Sequence, residues 1–165
     1  MSSSVNTDAH QSRVVKTLVA AQVLNGVGVA GTVAAGSLLV ASITDSETLA
    51  GLAQTFSVLG AAAMALPLAR LTNRGGRRLA LSAGLITGLI GSLLAITGGS
   101  TSNIYLMLLG SFLVGAASAS GYQARFAAID LATPDNRAKQ LSLVVWGSTI
   151  GAVAGPNLME PSGRI

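Results

Sequence analysis

Cysteine is absent from this chain, which excludes disulfides, thiolate metal ligands and a cysteine nucleophile. Histidine is nearly absent too: the single one, His10, lies in a polar leader ahead of the first apolar run. Charge is equally scarce, at 10% of residues against 50% hydrophobic, whereas soluble domains carry about 25% charged side chains. The sequence holds no Walker-type glycine loop, no His/Asp/Glu cluster at metal spacing and no paired catalytic groups, so neither an enzyme nor a cofactor or metal is expected. Gly26-x-Gly28-x-x-Gly31 satisfies the dinucleotide fingerprint only as a string, because it lies inside an apolar run with no strand before it.

What the chain has instead is long uncharged segments. A charge at mid-bilayer costs about 2.5 to 3.5 kcal/mol on the insertion scale, so charges mark helix ends. Reading from charge to charge predicts an all-α, polytopic membrane protein with five transmembrane helices, at about 17–42, 48–69, 79–97, 104–124 and 141–159. A disordered cytoplasmic leader, 1–12, is expected before a transmembrane bundle over 13–165. The first run is too long for a secretory h-region and is read as an uncleaved span. The third and fourth spans are separated by Gly98-Gly99-Ser100-Thr101-Ser102-Asn103, a segment of turn residues.

Short cytoplasmic loops carry the Lys/Arg excess. With the N-terminus inside, one face receives Arg13, Lys16, Arg70, Arg74, Arg77, Arg78, Arg125, Arg137 and Lys139, nine of the ten basic residues. The expected location is therefore the cell membrane, multi-pass, with a cytoplasmic N-terminus. The net charge of +4 and pI near 10.4 arise from short basic clusters between apolar runs, so the expected partner is the lipid bilayer and not nucleic acid.

Small residues recur at helix-packing spacing: Gly28, Thr32 and Gly36; Gly84, Gly88 and Ser92; Ala117 and Gly121. Such positions let backbones approach closely in lipid and predict a compact bundle. Polar residues inside the spans are few. Gln22, Asn25, Gln54, Gln123 and Arg125 are candidates to line a cavity, or else to bond across helices, with Arg125 alternatively an interfacial anchor. Tyr105, Tyr122 and Trp146 are expected in aromatic belts.

Two motifs go beyond packing. Between the second and third spans the chain reads Ala69-Arg70-Leu71-Thr72-Asn73-Arg74-Gly75-Gly76-Arg77-Arg78-Leu79-Ala80-Leu81. This resembles the signature loop of the major facilitator superfamily, G-x-L-x-D-R-x-G-R-R-x-x-L, with Leu71, Arg74, Gly76, Arg77, Arg78 and Leu81 in matching places. The resemblance implies a cytoplasmic gating loop formed by Asn73, Arg74, Gly76, Arg77 and Arg78. Ala69 and Asn73 depart from it, and Asn73 keeps a hydrogen bond where the family's aspartate makes an ion pair. The fifth span carries Gly147, Gly151, Gly155 and Pro156, similar to the family's antiporter-associated pattern in helix five, whose last two glycines are here Met159 and Glu160. A plain packing face with a proline bend explains the same stripe.

A third family feature, an arginine within R-F-L-x-G, is missing; the stretch here is Ser111-Phe112-Leu113-Val114-Gly115. The resemblance thus implies helices one to five of an N-terminal six-helix bundle from a secondary transporter, an exporter of small organic molecules. Such transporters hold substrate at the midplane between two six-helix halves. The chain is accordingly expected to be an incomplete N-terminal portion, inactive alone, that binds a small-molecule substrate once the missing helices complete it. The alternative is a small non-transporting membrane protein that packs against a partner through its glycine faces.

Overall fold

The computed structural model describes residues 2–46, 49–130, 132 and 134–158, and the side chains from residue 13 onward. It is all-helical: α1 Ser2–Thr44, α2 Leu52–Ser100, α3 Ile104–Asp130 and α4 Arg137–Asn157. Among the described residues three helices are long and apolar enough to cross a membrane: Arg13–Thr44 within α1, then α2 and α3. Helix α4 is not one of them, because Arg137 and Lys139 occupy its first turn and hydroxyls and glycines dilute the remainder. The five separate spans expected from the sequence therefore appear as three such helices and a more polar fourth.

The difference in number comes mainly from α2. Its 49 residues contain one with non-helical dihedrals, Gly76, at φ 82 and ψ 164. At ~1.5 Å per residue an unbroken helix of that length would far exceed a bilayer's hydrocarbon core of ~30 Å. Contacts to α3 show instead two antiparallel arms, 52–75 and 77–100. Along the first arm, Gly60 meets Phe112 and Thr72 meets Gln123, so this arm runs parallel to α3. Along the second, Arg77 meets Asp130, Gly84 meets Ser120, Gly91 meets Val114 and Gly98 meets Met107, which is the antiparallel order. The chain reverses at Gly76, inside the loop where the sequence placed a turn, while Gly75 remains helical.

Two further boundaries move. The helical backbone of α1 begins at Ser2 and so takes in the stretch expected to be a disordered leader; once a helix is nucleated by an apolar run, each added residue gains a hydrogen bond for little further ordering. The helix of the second arm also continues through Gly98, Gly99 and Ser100, leaving a tighter turn at Thr101 and Ser102 (φ 51). Asn103 then starts α3, its side-chain oxygen accepting from the Leu106 amide at 3.1 Å.

The second arm shows what solvent this fold suits. Its buried face is Ala80, Gly84, Gly88, Gly91, Ala95 and Gly98. Leu85, Ile86, Leu89, Ile90, Leu93 and Ile96 point outward and are exposed. A water-soluble helix would place the large apolar side chains inward. Here small residues bring backbones together and the large ones meet lipid, where packing and not hydrophobic exclusion holds helices together. Helix α3 lies at the centre, touching α1, α4 and both arms of α2.

Helix α4 packs on α1 through the predicted glycine stripe. Gly147 lies over the Val19 carbonyl, Gly151 over that of Val23 and Gly155 over that of Val27. The equal step of four on both helices means they run parallel. A Cβ at Gly155 would lie 2.7 Å from the Val27 oxygen, and one at Gly151 would overlap the Val23 oxygen outright. The stripe is therefore occupied within the chain, and Pro156 falls next to last in α4, where the helix stops.

Candidate functional site

Small residues on α1, the first arm and α3 do more than close gaps, because between these helices the chain leaves space. A cavity of about 790 Å³ is lined by residues of all three, and a second of about 510 Å³ adds α4. Val29, Val33, Gln54, Ser118 and Tyr122 line both, so the two spaces adjoin along one wall.

The five candidate polar residues all face this space. Gln54 borders both cavities, Gln123 the larger, and Gln22, Asn25 and Arg125 the smaller. Helical spacing explains part of this: Gln22, Asn25 and Val29 share one face of α1, and Ser118, Tyr122 and Arg125 one face of α3. Gln22 is 3% exposed and donates to the Gly121 carbonyl at 3.1 Å. Gly121 makes room for this, since a Cβ there would stand 2.8 Å from the Asn25 amide nitrogen. The Thr72 hydroxyl lies 2.9 Å from Gln123 Oε1 and 3.0 Å from the Leu68 carbonyl. Such bonds satisfy amides that lipid or a dry interface would otherwise leave unpaired.

Arg125 is folded over the Tyr122 ring, its guanidinium carbon 5.2 Å from the centroid. Its Nε is buried without a hydrogen-bond partner. Arg125 thus lines the smaller cavity, and Tyr122, 56% exposed, borders both. Tyr105 and Trp146 are exposed on the outside, 83% and 66%.

The residues expected to form a gating loop separate into two sets. Asn73 and Arg77 line the larger cavity, whereas Arg74, Gly76 and Arg78 are exposed away from its lining. Arg77 is joined to Asp130 at the end of α3 by two contacts, Nε to Oδ2 and Nη2 to Oδ1, the latter at 3.0 Å. This bidentate pair is charge-assisted and directional. The sequence reading missed Asp130, 53 positions away from Arg77. It also missed Ser57, Thr72, Ser118 and Ser148, which line the cavities. The period of Ser118, Tyr122 and Arg125 was the available signal. Among the described residues no group of three His, Asp or Glu is placed to hold a metal.

These features, inward-facing small residues, outward-facing large ones and a mostly apolar cavity with a few polar side chains between helices, are those of a helical membrane protein. Residues 18–159 match the Major Facilitator Superfamily, and the chain belongs to that family. It is 37% identical over 142 residues to the uncharacterized MFS-type transporter YdeG of Bacillus subtilis, covering 86% of this chain and 33% of that protein. Against the uncharacterized MFS-type transporter YddS of the same organism it is 32% identical, covering 92% and 35%. Against the riboflavin transporter RfnT of Brucella anthropi it is 29% identical, covering 93% and 38%. The chain thus spans about a third of the length of these relatives. They are transporters and not enzymes. No solved structure matches.

Proposed function

We propose that this chain forms five membrane spans of the first half of a secondary transporter that exports small organic molecules from the cell, with its N-terminus in the cytoplasm. The observation that carries the reading is the alternation of five helical rods, four of which border the cavities along their length. α1 and α4 run parallel, the first arm of α2 runs with α3, and the second arm runs against it. Helix α1 runs against α3, with Gln22 beside Gly121 and Gly36 beside Ser111, so each rod reverses the direction of the one before, as successive spans must. The turn at Gly76 and the start of α4 then bring Arg74, Arg78, Arg137 and Lys139 to one end, which suits the cytoplasmic side.

In this reading the cavity is one wall of a central substrate site, and its volume lies in the range of small-molecule pockets, roughly 300 to 1,000 Å³. Rocking of this helix set against a second one would expose the site to either side in turn. The Arg77–Asp130 pair, at the cavity's basic end, would be one contact of the cytoplasmic gate. The glycine stripe of α4, similar to an antiporter-associated pattern, supports outward movement. The riboflavin named for the Brucella anthropi relative is a small organic molecule of the proposed class. Because such transporters hold substrate between two helix sets, the 165-residue chain alone is expected to sustain no flux. Its glycine faces meet its own helices at Gly84, Gly88, Gly151 and Gly155, which favours this reading over the partner-binding alternative, although Gly28 meets nothing within 4 Å.

Native cysteine is absent, so single-cysteine labelling tests the arrangement directly. An impermeant maleimide applied to intact cells is expected to reach Ser46→Cys, Ser100→Cys and Leu158→Cys but not Asn73→Cys or Ala138→Cys. In opened membranes it is expected to reach Gln54→Cys and not lipid-facing Leu89→Cys. Failure at Leu158→Cys would show that α4 does not cross, and an unreachable Gln54→Cys would remove the cavity from the transport path.

A further inference from the structure

The charges around the cavity are unbalanced. Amides and hydroxyls supply most of its polar groups, and no carboxylate is among the side chains lining either space in the described residues. Two arginines do line it. Arg77 is neutralised by its bidentate pair with Asp130. Arg125 has the Tyr122 π face beneath it and a buried Nε with no partner. A guanidinium offers five donors and fits planar, two-oxygen acceptors. Held against alanine and valine walls, such a cation interacts strongly with an incoming anion and repels another cation.

We propose that this cavity selects small organic anions bearing a flat ring, with Arg125 holding the carboxylate or phosphate and Tyr122 offering a stacking surface beside it. The proposal deepens the transporter reading and rests on it. Tyr122 is 56% exposed, so its ring remains accessible while Arg125 covers part of it. Asn25, which also lines the smaller cavity, adds a neutral amide that orients polar substituents without changing the charge preference. An anionic lipid headgroup presents the same chemistry to Arg125, so the two sources must be separated.

The test is equilibrium binding to the full 165-residue chain in phosphatidylcholine nanodiscs, with empty discs subtracted. The probes are 2-naphthoate, 2-naphthylmethylamine and cyclohexanecarboxylate. Naphthoate is expected to bind about tenfold or more tightly than the amine, a preference that Arg125→Gln abolishes and Arg125→Lys keeps in part. Tyr122→Leu is expected to erase the advantage of naphthoate over cyclohexanecarboxylate. Circular dichroism and monodispersity establish that each variant is folded, and the lysine variant tests charge separately from packing. Equal binding of the amine, no effect of Arg125→Gln, or no binding of any probe overturns the proposal. So does complete displacement of naphthoate by phosphatidylglycerol at a fifth of the lipid, which would assign Arg125 to the headgroup. Loss of the anion preference while Gln54→Cys stays reachable sinks the anion assignment alone, whereas an unreachable Gln54→Cys sinks the transporter reading.

Discussion

The two arms of α2 have the same length and a shared neighbour, α3, yet they use it differently. The second arm lays Gly84, Gly88, Gly91 and Gly98 against α3 with no space between backbones. The first arm makes one comparably close crossing, Gly60 over the Phe112 carbonyl, and then diverges so that Gln54, Ala62, Ala65 and Thr72 face the cavity. Small residues serve both arms, but to opposite ends: glycine in series closes an interface, and alanine beside amides keeps one open. A tightly packed arm and α3 form a rigid unit, while the open arm supplies the surface a solute meets.

Substitutions that add volume should separate the arms most sharply. At Gly91 a Cβ would lie 2.6 Å from the Val114 nitrogen and 2.7 Å from the Gly110 oxygen, both backbone atoms that cannot yield. Gly91→Val is expected to destabilise the chain by about 3 kcal/mol or more, read as unfolding in mixed detergent. Ala62→Val adds two carbons on the cavity wall, against three at Gly91, and is expected to change stability by less than about 0.5 kcal/mol. Equal losses at the two sites would mean that the first arm is packed as tightly as the second.

The turn joining the arms comes next in size. Gly76 has dihedrals open almost exclusively to glycine, and Gly76→Ala is expected to cost about 1 to 3 kcal/mol through backbone strain. Gly75 is helical and meets only the flexible Leu79 side chain, at 3.3 Å, so Gly75→Ala should be neutral or slightly stabilising. Comparing the two melting midpoints would show whether the reversal is pinned at one residue or shared by the pair.

A smaller effect is expected where the second arm meets the end of α3. Arg77 and Asp130 are 34% and 46% exposed, so solvent screens their attraction. Asp130→Asn should lower stability by no more than about 1 kcal/mol. The exchange Arg77→Asp with Asp130→Arg should recover part of that loss. A larger drop, or no recovery, would indicate that Asp130 is tied to more than Arg77.

Much of this arrangement was readable in residue order. Helix content, the turn near Gly75-Gly76, the stripe of Gly147, Gly151 and Gly155 and the five polar cavity residues each have a local cause: periodicity, a breaker or a stranded amide. Helix ends were less legible. Gly98 and Gly99 carry turn propensity, but a helix in close contact with Met107 needs the missing side chain more than it suffers the lower propensity. The place of Tyr122 was not legible, because an aromatic near a helix end suits a belt and a cavity mouth equally. Asp130 was invisible because its partner, on the preceding helix, lies two helix lengths back along the chain, a pairing set by packing and not by spacing.

The smallest expected effect tests whether the cavity's amides hold the bundle together or serve its contents. Gln22 donates one buried bond to the Gly121 carbonyl, and interhelical bonds of this kind contribute about 0.6 kcal/mol on average in a membrane bundle. Gln22→Leu should therefore shift the unfolding midpoint only slightly, and Gln54→Leu, for which the structure gives cavity lining as the main role, should shift it less still. If both variants stay folded while cysteine access at Ser118 changes for Gln54→Leu alone, the first arm sets the cavity's wetting and Gln22 sets the distance between α1 and α3. A large loss of stability for Gln54→Leu would instead make the open arm a structural one, and the contrast between the two arms would disappear.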